Sequence, residues 1–278
     1  MKYIDKMMYS PFLSFLRLFP LIFWTLFCSF MQAVFLLFGK KYFFIFFNIF
    51  FKGLVKILNI KLKFHGVPVK RNVLYVSNHI SYIDIFILGS CLEGLFVAKS
   101  EISGWPLINK LCHLGGTIFI DREKRLNVRH QAEIINSNIC SGNNIILFPE
   151  GTSSDGKQVL PFKSSLFSPI ESKTKKKCFL QSISLTYSKL DNLPLDTKFL
   201  PFLAWYGRMD LISHAWKFLG LGECEVIVNF NKEKNFKEFK NRKEAAKFCF
   251  NTISEQLSEN KKSVEIKDKI KLYEFKYL

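Results

Sequence analysis

From Leu18 to Gly39 the chain carries no charged side chain, and the run includes Leu21-Ile22-Phe23-Trp24-Thr25-Leu26-Phe27 and Ala33-Val34-Phe35-Leu36-Leu37-Phe38. That length and polarity predict a helix able to reach across hydrocarbon. The apolar stretch is too long for a signal peptide, and no small-residue cleavage site follows before Lys40-Lys41, so the segment is expected to be retained. In the next segment Lys41, Asn48, Lys52, Lys56 and Asn59 fall on one stripe of a helix, opposite Phe43, Phe47, Phe50, Leu54 and Ile57. This pattern suits a helix lying in a membrane interface, apolar face inward and lysines toward anionic headgroups. Packing of the same face on the domain's own core is the alternative.

After Lys61 short apolar runs alternate with helix-like stretches, the pattern of an α/β domain with a mixed, mainly parallel sheet flanked by helices. Strands are expected at Asn72 to Val76, Leu95 to Ala98, Thr117 to Ile120, Asn144 to Phe148, Phe179 to Leu185, Phe199 to Ala204 and Cys224 to Phe230. Asn127 to Ile139 reads as a crossover helix. The Lys-rich tail from Asn231 reads as a solvated helix, most periodic from Glu244 to Leu257. Two parts follow: membrane-associated helices over 1–60 and a catalytic domain over 61–278.

With 40 Lys and Arg against 23 Asp and Glu, the net charge of +17 draws the chain toward anionic headgroups, an acidic carrier or nucleic acid, and does not choose among them. Part of it, like the 31 Phe, reflects a composition rich in Phe, Ile, Lys and Asn. Seven Cys without a C-x-x-C pair form neither a disulfide framework nor a zinc site, and they point to a reducing compartment.

Three runs carry candidate chemistry, each following a strand. The first places His79 after Asn78 with Asp84 five residues beyond; a carboxylate one turn on can fix the imidazole tautomer and make it a general base for a hydroxyl. The spacing alone does not separate this from a structural His. The second is Phe148-Pro149-Glu150-Gly151-Thr152, a turn that can offer Glu150, a hydroxyl and backbone N–H groups to a polar headgroup. The third delivers Arg122 after Phe119-Ile120-Asp121, with Lys99 at a neighbouring strand end, both suited to phosphate. Gly151, Gly156 and Lys157 imitate a phosphate-binding loop, but Gln158 stands where magnesium needs a hydroxyl and Pro161 interrupts the helix that should follow.

Over roughly Lys61 to Phe230 the chain resembles the 1-acyl-sn-glycerol-3-phosphate acyltransferase family within the glycerolipid acyltransferases. The resemblance rests on Asn78-His79-Ile80-Ser81-Tyr82-Ile83-Asp84, Lys99-Ser100-Glu101, Phe119-Ile120-Asp121-Arg122 and Phe148-Pro149-Glu150-Gly151-Thr152, in the family's order. It implies that fold, His79 as general base with Asp84 as its partner, and an acceptor site formed by Lys99, Arg122, Glu150, Gly151 and Thr152. It departs from the family at Ser182, where a Pro is usual, and near Ser165, where Gly is more frequent.

The activity so implied is acyl transfer from acyl-CoA or acyl-ACP to the sn-2 hydroxyl of 1-acyl-sn-glycerol-3-phosphate, giving phosphatidic acid, with lyso-ornithine lipid or another lysolipid as the alternative acceptor. No metal, bound cofactor or nucleic acid is required. The expected partners are the lysophospholipid, a coenzyme A or acyl carrier protein thioester and the membrane surface. The expected place is the inner membrane, with the catalytic domain facing the cytosol. A lipid hydrolase using Ser81 as nucleophile lacks a G-x-S-x-G elbow, and a non-enzymatic membrane module leaves the three runs unexplained.

Overall fold

The computed structural model describes residues 9–39, 42–120, 128–171 and 178–276. Helix α1 (Pro11–Leu37) opens with Ser10 as N-cap, its hydroxyl accepting from Leu13 N, and Pro11 in the first turn, where a missing N–H costs nothing. Helix α2 (Phe43–Ile57) folds back along it; Trp24 Nε1 donates to Phe50 O and a Cβ on Gly53 would collide with the Trp24 ring. Then come β1 (Ile60–His65), β2 (Val73–Ser77), α3 (Ile83–Cys91), β3 (Leu95–Lys99), α4 (Pro106–Leu114), β4 (Ile118–Ile120), α5 (Val128–Cys140) and β5 (Ile145–Leu147). The chain closes with β6 (Phe179–Leu190), β7 (Leu193–Pro194), α6 (Leu200–Leu203), α7 (Leu211–Leu219), β8 (Cys224–Phe230), β9 (Lys234–Asn235) and α8 (Arg242–Lys276).

The sheet runs β1-β8-β6-β2-β5-β3-β4, with β7 and β9 pairing β6. From β6 through β2, β5 and β3 to β4 every neighbouring pair is parallel; β8 is antiparallel to β6 and carries β1 parallel to itself. Strands β2 and β5 lie at the centre, in register Tyr75↔Ile146, and all their residues are buried, as expected of parallel strands covered on both faces. One core holds Phe47, Phe51, Tyr75, Ile87, Phe148 and Tyr187; the other holds Leu74, Ile139, Leu147, Phe167, Cys249 and Ile253.

The mixed, mainly parallel sheet agrees with the sequence expectation, and several elements differ from it. Phe199 to Ala204, expected as a strand, contains helix α6, because Pro201 cannot donate to a ladder and Leu200 and Leu203 bury one face a turn apart. Strand β1 was not expected; it lies at the sheet edge, with only Ile60 buried. Strand β6 runs on to Leu190, ending where Asp191 and Asn192 both take positive φ (51 and 64) and turn the chain into β7. The tail helix is not solvated all round: Ala245, Ala246, Cys249, Ile253 and Leu257 are buried in the second core.

Helix α2 takes the alternative given for its apolar face. Phe47, Phe51, Leu54 and Val55 enter the first core, and Asn48 Nδ2 donates to Gly89 O and Leu92 O at the end of α3, both at 2.9 Å. Lys52 and Lys56 remain exposed; Lys41 lies outside the described residues. Helix α1 has the length and composition to cross a membrane. Its side exposes Phe12, Phe19, Phe23, Leu26 and Phe30, each at least half accessible. It is tied to the body by Arg17, whose guanidinium donates to Leu219 O and Leu221 O, and by Ser14 Oγ, which donates to Trp216 O.

The α2–α3 contact is close: a Cβ on Gly89 would collide with the Phe51 ring. Alanine gains about 1 kcal/mol in helix propensity, but overpacking a rigid ring costs about 1–3 kcal/mol, nearer the upper end for so short a contact. Gly89→Ala is therefore expected to lower the thermal unfolding midpoint by a few degrees, measured by circular dichroism; an unchanged or raised midpoint would contradict this packing.

Candidate active site

Because β2, β5 and β3 run parallel and adjacent, Asn78-His79, Phe148-Pro149-Glu150-Gly151 and Lys99 reach the same sheet edge, the carboxyl edge where open α/β sheets receive ligands. The chain leaves β2 through Asn78, whose side chain brackets Leu185 on β6: Nδ2 donates to Leu185 O at 3.0 Å and Leu185 N donates to Oδ1 at 2.8 Å. A side chain thus continues the β2–β6 ladder after the main chain has turned away.

Asp84 lies in the first turn of α3 at 0 % exposure, and donors converge on it. Oδ2 lies 2.9 Å from His79 Nδ1 and accepts from Ile80 N at 2.6 Å and Ser81 N at 2.9 Å; Oδ1 accepts from Tyr187 O–H at 2.8 Å. A buried carboxyl is tolerated when its lone pairs are met in this way, and the α3 N-terminus adds a favourable dipole. Burial, and next to it the negative Asp84, hold the Tyr187 phenol well above its ordinary pKa, so Tyr187 stays a donor.

With Nδ1 directed at a carboxylate, the His79 proton belongs on Nδ1 and the lone pair on Nε2. Nε2 makes no hydrogen bond to a described residue, and the side chain keeps 17 % exposure. The ring stacks on Phe148, with centroids 4.1 Å apart and planes at 19°. An oriented, partly open imidazole nitrogen on an apolar floor is the arrangement a general base for a hydroxyl needs.

Glu150 is placed differently from the expectation of a headgroup ligand. It is 3 % exposed, and its oxygens accept from His79 N at 2.7 Å and Leu160 N at 2.9 Å, so it fastens the His79 loop to the loop after β5 from beneath. Burial raises its pKa to about 8 against the pull of those two N–H groups. Gly151 turns the chain at φ 76, left-handed backbone that favours glycine. Of the remaining expected ligands, Lys99 is half-buried at the end of β3 and Thr152 is exposed. Arg122 lies outside the described residues.

Ser81, which a hydrolase would need as nucleophile, is fully buried and its Oγ meets no hydrogen-bond partner. The loop that imitates a phosphate cradle turns carbonyls outward: Gly156 O and Lys157 O both accept from Lys261 Nζ at 2.8 Å. Ser182 pairs with Val76 in the β2–β6 ladder, with its Oγ buried and unpartnered. Sequence reasoning missed Tyr187 and Phe148 as neighbours of the dyad. Tyr187 sits 103 positions from Asp84 in an ordinary strand pattern, so no local signal marked it.

The Glu150 carboxyl titrates near 4.5 when exposed and about 8 when folded. Its preference for the neutral form supports the fold fully below 4.5 and is lost as pH rises through 8. Urea unfolding across this range is expected to show stability falling with pH, with that component of the slope abolished in Glu150→Gln; an identical slope in the variant would contradict it.

An acyltransferase family model matches residues 60–183, the stretch from β1 through the first half of β6. A lyso-ornithine lipid O-acyltransferase of Rhizobium meliloti is 32 % identical over 208 residues, covering 73 % of this chain and 71 % of that protein. A 1-acyl-sn-glycerol-3-phosphate acyltransferase of Neisseria gonorrhoeae is 38 % identical over 123 residues, covering 42 % and 46 %. The crystal structure of the 1-acyl-sn-glycerophosphate acyltransferase PlsC from Thermotoga maritima superposes with a TM-score of 0.64 at 22 % identity, over 89 % of this chain and 94 % of that one, and so shares the fold. The chain belongs to the glycerolipid acyltransferase family that holds the 1-acyl-sn-glycerol-3-phosphate and lyso-ornithine lipid acyltransferases.

Proposed function

We propose that the protein transfers a fatty acyl group from a thioester to the hydroxyl of a lysolipid, with His79 as general base and Asp84 as the group that orients it. The observation that carries this reading is the buried Asp84 carboxylate aiming His79 Nδ1 and leaving Nε2 without a described partner at the carboxyl edge of the sheet. The acceptor oxygen attacks the thioester carbonyl as its proton passes to Nε2; the tetrahedral intermediate collapses, the C–S bond breaks, and the proton goes to the departing thiolate. The thiol released is coenzyme A or acyl carrier protein.

For the acceptor, lyso-ornithine lipid has the longer support, since relatives of that name align over about seven-tenths of both chains. The second reading, 1-acyl-sn-glycerol-3-phosphate, is favoured by the higher identity of the shorter Neisseria matches and by cations suited to phosphate, Lys99 and Arg122. Either lipid partitions into a bilayer. We place the exposed apolar side of α1 in that bilayer, on the inner membrane with the sheet edge toward the cytosol, where acyl thioesters are made and free cysteines persist.

His79→Ala is expected to lower turnover by roughly 10² to 10⁴-fold while lipid binding persists; unchanged turnover would sink the assignment. Purified enzyme offered lyso-ornithine lipid and lysophosphatidic acid with a radiolabelled acyl thioester is expected to favour the former. Exclusive use of the phosphate-bearing lipid, with KM raised in Arg122→Ala, would reverse that order.

A further inference from the structure

His214 stands outside every motif, yet it is buried at 5 % exposure, and its Nδ1 lies 3.2 Å from the hydroxyl of Tyr82, two residues before Asp84. The two rings meet edge to face, centroids 5.6 Å apart at 85°. Tyr82 occupies the N-cap position of α3 and has no side-chain bond to its own helix, so its side chain is committed to α7. Burial holds His214 neutral, with a pKa of about 4, against the pull of the Ala204 main chain, and pushes the Tyr82 phenol up, so the pair is uncharged whichever ring nitrogen carries the proton. The main chain beside Tyr82 is fixed from the same side: Ile80 O accepts from Trp205 N at 3.0 Å, and the Trp205 ring packs 6.0 Å from Tyr82. Helix α7 is in turn the seat of α1, through Ser10 N to Gly220 O at 2.8 Å, Ser14 Oγ to Trp216 O at 2.9 Å and Arg17 to Leu219 O at 3.1 Å.

We infer that Tyr82 and His214 are positioning residues for acyl transfer: their hydrogen bond holds the His79–Asp84 loop at a set place on the helix that carries α1. The inference rests on the reading of His79 as the base. Asp84 fixes the angle of the imidazole from within the loop; Tyr82 fixes the loop relative to the body and to the lipid-facing helix. A phenol and a buried imidazole suit this, because a Tyr–His bond adds no net charge to a site whose Glu150 is already costly to ionise. Neither residue need touch substrate, so losing the bond should lower the rate of the chemical step rather than weaken binding.

The test is a double-mutant cycle on the full-length enzyme in phospholipid vesicles, with kcat and both KM values measured well below the unfolding midpoint of each variant. Tyr82→Phe and His214→Leu are each expected to lower kcat roughly tenfold with both KM values within twofold. Tyr82→Phe/His214→Leu is expected to be no slower than either single variant, because the bond can be lost only once. His214→Gln, which keeps an acceptor for the phenol, is expected to recover most of the rate. Full kcat in Tyr82→Phe and His214→Leu, or losses that multiply in the double variant, would overturn the inference. Full activity in Tyr82→Phe beside an inactive His79→Ala refutes the positioning role alone, whereas an active His79→Ala refutes the base.

Discussion

The structure turns on one buried carboxylate. At 0 % exposure Asp84 has given up water and is sustained by the groups that replace it: the Ile80 and Ser81 N–H groups, the Tyr187 hydroxyl and the His79 ring. Each belongs to a different structural decision. The two N–H groups require the loop after β2 to curl back over the start of α3. The hydroxyl requires β6 to run beside β2 well past its end. The helix itself stays in place because α2 packs on it through Phe51 against Gly89 and binds its carbonyls through Asn48. The helical hairpin of α1 and α2, the sheet centre and the proposed base are therefore packed together.

The same packing explains how a lipid substrate and a polar reaction share a site. Rings of α2, Phe47 and Phe51, adjoin Phe96 on β3; Phe96 stacks on Phe148, and Phe148 carries the His79 imidazole. A line of apolar rings leads from α2, against which α1 rests, to the imidazole proposed to take the proton. On the other face of the sheet α8 buries Ala245, Cys249 and Ile253 in the second core.

Much of this was legible in the chain because it is written in short range. Strands β2 and β5 read as apolar runs ending in turns, and His79 and Asp84 lie within five positions of each other, close enough for a helix start to join them. What escaped depended on pairs distant in sequence. Tyr187 reads as an ordinary strand residue until β6 is laid beside β2, and the Lys-rich tail reads as solvated until its Ala245, Cys249 and Ile253 face is laid on the sheet. For Glu150 the sequence does not choose, since a carboxylate after a strand looks the same whether it meets ligand or main-chain N–H groups; in the fold it accepts from His79 N and Leu160 N. Phe199 to Ala204 misled by composition: five of its six residues are apolar, but Pro201 excludes a ladder position.

The arrangement also separates what sets the reaction from what sets the acceptor. His79 is held by Asp84 on α3 and Glu150 in the loop after β5, and Asp84 in turn by Tyr187 on β6, all three of them buried. Lys99, half-buried at the end of β3, and Thr152, exposed in the loop after β5, make no bond to that buried network among the described residues. Changing a residue of the first kind leaves a buried polar group unmet, at a cost of about 1–3 kcal/mol or more; changing one of the second kind only reshapes a wetter surface. On that division acceptor choice can drift while the transfer chemistry stays fixed, which fits similarity both to relatives named lyso-ornithine lipid O-acyltransferase and to relatives named 1-acyl-sn-glycerol-3-phosphate acyltransferase.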